Sequence, residues 1–318
     1  MLSMPNQSDT VAVDSGGYFF MPAIKKMREM KLLDRPSSQW KDDEWATLKQ
    51  VYSSCTHLLQ DLLQTAQKTE KLAVFKEHTP FIISPTVQAS FVHGNEAPKQ
   101  PWRVELATSH SVPNLSLELP YNQTVLPSEF LLNCVPAFLI RHPALAFPSY
   151  YRVLQSLLGG NSQMDAVESA LNQAFTLQWT RNLYDWFLAV NKITPTTTGN
   201  QSSPIVLDAD DILTDPKLVL HFCDLVGLDR SVVQFKWDRA ADEQLGKESP
   251  IRLCTRSTLF SSSGILPGKT FQGLTIDGEV AKWREEFGTP VADKLHSWVK
   301  MAMTDYEYLS SRRLQLPS

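Results

Sequence analysis

Apolar residues return at helical spacing over much of the chain. Ile24, Met27, Met30 and Leu33 recur in three-residue steps after Pro22, and Pro36 stops the pattern, which predicts a first helix. A longer helix is expected from about Trp40 to Lys68. Asp42, Asp43 and Glu44 suit its positive end, and Trp45, Leu48, Val51, Tyr52, Leu58, Leu59, Leu62 and Leu63 make its apolar stripe. Short unbroken apolar runs interrupt this rhythm. Leu72-Ala73-Val74-Phe75, the run from Val135 to Ile140, and Pro204-Ile205-Val206-Leu207 read as parallel strands, the first buried on both faces. Between Ile82 and Glu129 Pro, Ser and Asn dominate without periodicity, which predicts a long loop with short strands and a brief helix at its end. A long helix from about Met164 to Val190 carries Phe175, Trp179, Tyr184, Trp186 and Phe187 on more than one face. Asp215, Pro216 and Gly227 start and stop another helix, and Thr289-Pro290 opens a last one running towards Arg312. Residues 1–15 are polar and patternless. They predict a disordered tail ahead of a single α/β domain over residues 16–318, a parallel sheet flanked by helices.

Composition narrows the partners. The 318 residues have a formal net charge of −4 and no basic block, so no nucleic-acid partner is expected. No apolar run approaches the ~18 residues of a membrane span, and the start of the chain has no signal core, which points to a cytoplasmic protein. Cys55, Cys134, Cys223 and Cys254 are far apart and form no CxxC pair, as reduced core cysteines would.

Candidate chemistry gathers at strand ends. Arg141 closes one apolar run, a His-Pro step follows, and Ser149 stands eight residues on. A strand-end arginine faces the crevice where open α/β sheets take ligands, and its planar fork suits an anion. Lys76-Glu77-His78-Thr79-Pro80 closes another run, and a histidine there suits base chemistry because it titrates near neutrality. The acidic group Asp208, Asp210 and Asp211 reads as helix-start electrostatics, and no metal is expected. Gly268-Lys269-Thr270 ends like a Walker loop but has Ser263 where that loop requires glycine.

The Arg141 to Ser149 segment is similar to the 3′-phosphate-binding segment of the sulfotransferases, and Lys76-Glu77-His78-Thr79-Pro80 matches their Lys-x-His-x-Pro sequence. Asn122 to Pro127, Gly16-Gly17-Tyr18-Phe19-Phe20 and the helix start at Trp40 resemble a fungal subset of that family. The resemblance implies a P-loop fold binding 3′-phosphoadenosine 5′-phosphosulfate (PAPS), with His78 as general base, Lys76 stabilising the transferring sulfonate, and Arg141 and Ser149 on the 3′-phosphate. A late basic loop, loosely matched by Arg256 to Lys269, joins that site in the family. The family's first strand and its Pro-Arg phosphate loop are expected before the Gly-Gly-Tyr-Phe-Phe segment, and residues 1–15 show neither, so both are expected to be missing. On that ground the expected function is cofactor-independent, with Lys76, His78 and Arg141 as donors or base. They would promote a Diels–Alder-type cyclisation or an isomerisation of an apolar biosynthetic intermediate, and Ser149 would be a structural remnant. The alternatives are a PAPS-dependent sulfotransferase acting on a small hydroxylated acceptor and a non-catalytic interaction protein.

Overall fold

A computed structural model describes residues 1–13, 17–94, 102–106, 120–157, 171–193, 204–266 and 268–317. The chain does not begin with a loose tail. Thr10–Ala12 forms strand β1, which pairs in parallel with β2, Leu72–Val74. Ahead of β1 the buried Gln7 side chain donates to the carbonyls of Leu2 and Asp229 and accepts from the Asp229 amide. A short parallel strand therefore lies ahead of the Gly17-Tyr18-Phe19-Phe20 segment. It escapes periodicity because three residues with polar neighbours carry no pattern of their own and become a strand only through pairing.

Helix α1, Met21–Glu29, follows the β1 loop and buries Ala23, Ile24 and Met27. It ends before Pro36 because Lys31 turns left-handed at φ 51° and a 3-10 turn, Leu32–Asp34, takes over. Helix α2, Asp42–Lys68, buries Leu48, Tyr52, Cys55, Leu59, Leu62 and Ala66 on one stripe, while Leu58 faces solvent at 56% exposure. Strand β2 is only half covered, since among the described residues its one ladder partner is β1, and Leu72 is exposed.

The stretch read as loop contains a helix. After a short α3, Thr79–Ile82, comes α4, Pro85–His93, with Pro85 in its first turn and Gly94 closing it at φ 67°. Most of the loop expected beyond it, residues 95–101 and 107–119, lies outside the described residues. Helix α5, Ser128–Leu131, leads to β3, Ala137–Ile140, and α6, Pro143–Leu157. The helix expected over 164–190 begins in residues outside the described set and is broken at 175–177, after which α7, Gln178–Ile193, starts afresh. Its Trp179, Tyr184, Trp186 and Phe187 are buried in the core.

Strand β4, Ile205–Asp208, pairs in parallel with β3, with Ile140 opposite Asp208. Among the described residues the sheet is two parallel ladders and not one continuous one. The ladders share a hydrophobic cluster, in which Val74 of β2 packs with Ile205 and Leu207 of β4. Helices α8, Ala209–Thr214, and α9, Lys217–Val226, follow β4, and Gly227 stops α9 at φ 75°. Helices α10, Ile276–Phe287, and α11, Thr289–Ser310, pack on α6 around Trp283 and Trp298. This α/β arrangement is compatible with a sulfotransferase-like fold. No helix among the described residues is long and apolar enough to cross a membrane. All four cysteines are free.

Candidate functional site

Parallel pairing brings the loop after β1 against the segment after β2. Gly17 has φ 109°, and a Cβ there would stand 2.3 Å from the Lys76 carbonyl oxygen, so only glycine lets the two backbones touch. The Tyr18 amide donates to that same carbonyl at 2.8 Å. The Tyr18 ring then stacks on His78, centroids 4.8 Å apart and planes within 18°. The Lys76 ammonium lies 4.7 Å from the centroid of the same ring, and Phe81 meets His78 edge-on at 4.9 Å. Desolvation by these rings, joined by the Lys76 charge, holds the His78 pKa below the ordinary histidine value.

Glu77, between these two, turns the other way. Its Oε1 accepts from the Phe20 amide at 3.2 Å at the start of α1, and its Oε2 is buried with no partner among the described residues. Burial pushes its pKa up to about 8, opposed by the amides of Phe20, Phe19 and His78 and by Lys76. Thr180 on α7 donates to Thr79 at 3.4 Å, which ties this corner to the aromatic helix.

A second group forms at the ends of β3 and β4. Arg141 Nη2 donates to the Lys269 carbonyl at 3.1 Å, while its Nε is buried with no partner among the described residues. Burial lowers its pKa and the Asp210 carboxylate opposes that. Asp210 Oδ2 accepts from the Phe271 amide at 2.7 Å. Phe271 lies flat on His142, centroids 3.5 Å apart, and Tyr306 meets His142 edge-on while donating to Asp208 at 2.8 Å. His142 Nδ1 accepts from the Ala144 amide, and burial pushes its pKa down to about 4. Asp211 pairs with Arg313 at 2.6 Å, so each acid after β4 has a structural partner.

The sequence-predicted residues thus fall into two groups. Lys76 and His78 come together, and Tyr18 joins them, a residue that the sequence marked only as part of the Gly-Gly-Tyr-Phe-Phe segment and not as part of the site. Arg141 sits with the 268–271 loop, the late segment that resembled the family's loop only loosely. Ser149 is half-buried in the second turn of α6, and among the described residues no hydrogen bond joins it to Arg141. No hydrogen bond, ion pair or ring contact among the described residues directly links the Tyr18 group to Arg141. The phosphate loop was expected to be missing from residues 1–15, and the last two of these, with Gly16 after them, lie outside the described residues.

An apolar intermediate would need a pocket, and the aromatic helix α7 borders one small space. What lies between Ile83, Gln123, Thr124, Asn182, Leu183 and Trp186 is a cavity of about 10 Å³, room for one water.

No protein-family model matches the chain, and no solved structure matches it. Two curated proteins match along nearly their whole length. Sulfotransferase ppzF of Metarhizium majus (strain ARSEF 297) is 40% identical over 306 residues, which cover 94% of this chain and 87% of that protein. Sulfotransferase ppzF of Metarhizium rileyi (strain RCEF 4871) is 38% identical over 317 residues, covering 98% and 90%. Such identity over nearly its whole length means that the chain belongs to the fungal sulfotransferase family of these two proteins.

Proposed function

We propose that the chain is a sulfotransferase that moves a sulfonate group from PAPS to a nucleophilic group of a small acceptor. The observation that carries this reading is the Tyr18 ring held on Lys76 and His78 beside a parallel β1–β2 pair, which supports a strand ahead of this segment where its expected absence had favoured cofactor-free chemistry. In this reading the acceptor oxygen or nitrogen attacks sulfur as the bond from sulfur to the 5′-phosphate oxygen breaks. His78 takes the acceptor's proton, Lys76 neutralises charge on the transferring group, and adenosine 3′,5′-bisphosphate leaves. A histidine held below its ordinary pKa is unprotonated at neutral pH, as a base must be.

The residues fit the donor at one end. Arg141 Nε is a buried donor without a partner among the described residues, suited to the 3′-phosphate, with Ser149 the companion that the family resemblance assigns. At the other end, Asp14-Ser15-Gly16-Gly17 carries no basic side chain, so Lys76 is the cation available to the phosphosulfate.

The acidic Asp14 and the lack of a basic residue in that stretch of sequence favour a second reading, cofactor-independent cyclisation or isomerisation of an apolar intermediate, in which Lys76, His78 and Arg141 act as donors or base. Glu77 supports it too, because its carboxylate already takes an amide at the start of α1.

Calorimetric titration with adenosine 3′,5′-bisphosphate separates the two. Micromolar binding that weakens by one to two orders of magnitude in Arg141→Ala supports sulfonate transfer; a folded protein that takes up no nucleotide leaves the cofactor-free reading.

A further inference from the structure

Tyr18 adopts a conformation that a bulky aromatic residue avoids. Its φ of 63° is left-handed, and sparsely populated backbone states of this kind cost on the order of 1–3 kcal/mol, so they persist only where neighbours impose them. Here the neighbours are identifiable: Gly17 pressed on Lys76, the Tyr18 amide bonded to the Lys76 carbonyl, and the Phe20 amide bonded to Glu77. All three tie residues 17–20 to residues 76–77. The outcome is one aromatic ring that touches both chemically competent side chains of the segment.

We propose that Tyr18 is a positioning residue, whose ring fixes the plane of the His78 imidazole and holds the Lys76 ammonium beside it. The titratable groups facing the imidazole are Lys76 on its own segment and Tyr18 on the β1–α1 loop, while Glu77 turns away to the Phe20 amide. Helix α3 presents Phe81, and α7 reaches this corner through Thr180. With the ring in place the imidazole is partly shielded from water and cannot turn out of its stack. Without it, His78 would swing free and titrate as an ordinary histidine. The importance of this for turnover rests on the sulfonate-transfer reading; the geometry at His78 does not.

The test is an NMR titration of the histidine ring protons in the full chain, with the His78 signal assigned by its loss in His78→Gln. Wild type and Tyr18→Phe, which keeps the ring, are expected to share a midpoint below the ordinary ~6.5. In Tyr18→Gly the midpoint moves up towards that value, and glycine accepts the left-handed backbone without strain. Tyr18→Asn, also tolerant of that backbone, is the second ring-free variant. A midpoint unchanged in both ring-free variants overturns the proposal. In a sulfonate-transfer assay the acid limb of kcat/KM shifts with the midpoint, and a misplaced base lowers kcat by up to about 10²-fold. If no form transfers sulfonate, the sulfotransferase reading fails while the titration still decides the role of Tyr18.

Discussion

Gly17 lies against the backbone of Lys76 so closely that its missing side chain is what lets β1's loop and β2's end share one site. Gly17→Ala brings a Cβ to 2.3 Å from the Lys76 carbonyl oxygen and strains a backbone held at φ 109°. The left-handed conformation alone costs roughly 1–2 kcal/mol for an L-residue, and relieving the clash requires the loop to lift. Chemical denaturation should show at least that loss, with the His78 ring signals shifted as Tyr18 moves away. An alanine variant as stable as wild type would mean that the loop does not pack here.

The start of the chain is fastened by Gln7, 5% exposed, which bonds to the backbone of Leu2 and of Asp229. Gln7→Ala strands buried backbone groups, at ~1–3 kcal/mol, and loosens the strand that follows. Amide exchange should quicken across Thr10–Ala12 and its partner Leu72–Val74, which one ladder holds together. Exchange confined to residues 1–7 would show that β1 stands without this anchor.

These two sites mark where the sequence stopped being readable. Helix α2 was legible because its 27 residues repeat one stripe many times, and the β3–Arg141–α6 turn because an apolar run stops at a His-Pro step. Helix α4 could have been seen in Ser84-Pro85 and Gly94, but its proline and serine counted as loop composition. Strand β1 had too few residues for any period. Tyr18 was hidden for a stronger reason. Its partner His78 is sixty positions away, and the fact that matters, a ring placed by a left-handed backbone, is decided by the far segment. The pairing of Asp210 with the Phe271 amide, 61 residues apart, is invisible in the same way.

Arg141 and Asp210 hold the 268–271 loop from two sides, one through the Lys269 carbonyl and the other through the Phe271 amide. Asp210→Ala removes a charge-assisted bond to that amide, so its hydrogen exchange should rise by roughly tenfold or more, as a loss of at least ~1.4 kcal/mol of local protection predicts. Asp210→Asn keeps an acceptor and should fall between. Equal exchange in all three proteins would locate the loop's hold elsewhere, in the Phe271–His142 stack.

Two buried groups give stability opposite slopes with pH. Folded Glu77 keeps its proton up to about 8, whereas the ordinary value is 4.5. Its contribution is therefore full below about 4.5 and is lost as pH rises towards 8. His142 works the other way: folded, it resists protonation down to about 4 against an ordinary 6.5, so its contribution is present above 6.5 and is lost as pH falls towards 4. Unfolding free energies of wild type measured from pH 4 to 9 should pass through a maximum. Glu77→Gln, an analogue of the protonated acid, flattens the alkaline side, and His142→Phe, which keeps a ring against Phe271, flattens the acid side. An unaltered alkaline slope in Glu77→Gln would mean that Glu77 is ionised in the folded chain.

The division of the site into two groups makes the sharpest prediction. If His78 takes the acceptor proton and Arg141 holds the nucleotide, the two must fail differently. His78→Asn leaves the Arg141 end intact, so adenosine 3′,5′-bisphosphate should bind as in wild type while sulfonate transfer falls about 10²–10⁴-fold, the usual worth of a general base. Arg141→Ala should lose nucleotide affinity by one to two orders of magnitude, as the removal of a charge-assisted contact of ~1.5–3 kcal/mol predicts, with any remaining turnover recovered at high donor concentration. Lys76→Gln should lower turnover and retain an acid limb, moved to higher pH because the Lys76 charge no longer holds the His78 pKa down. Loss of nucleotide binding in His78→Asn would show that the imidazole supports the donor instead of the acceptor. Identical defects in all three variants would argue that they act through the fold and not through separate steps.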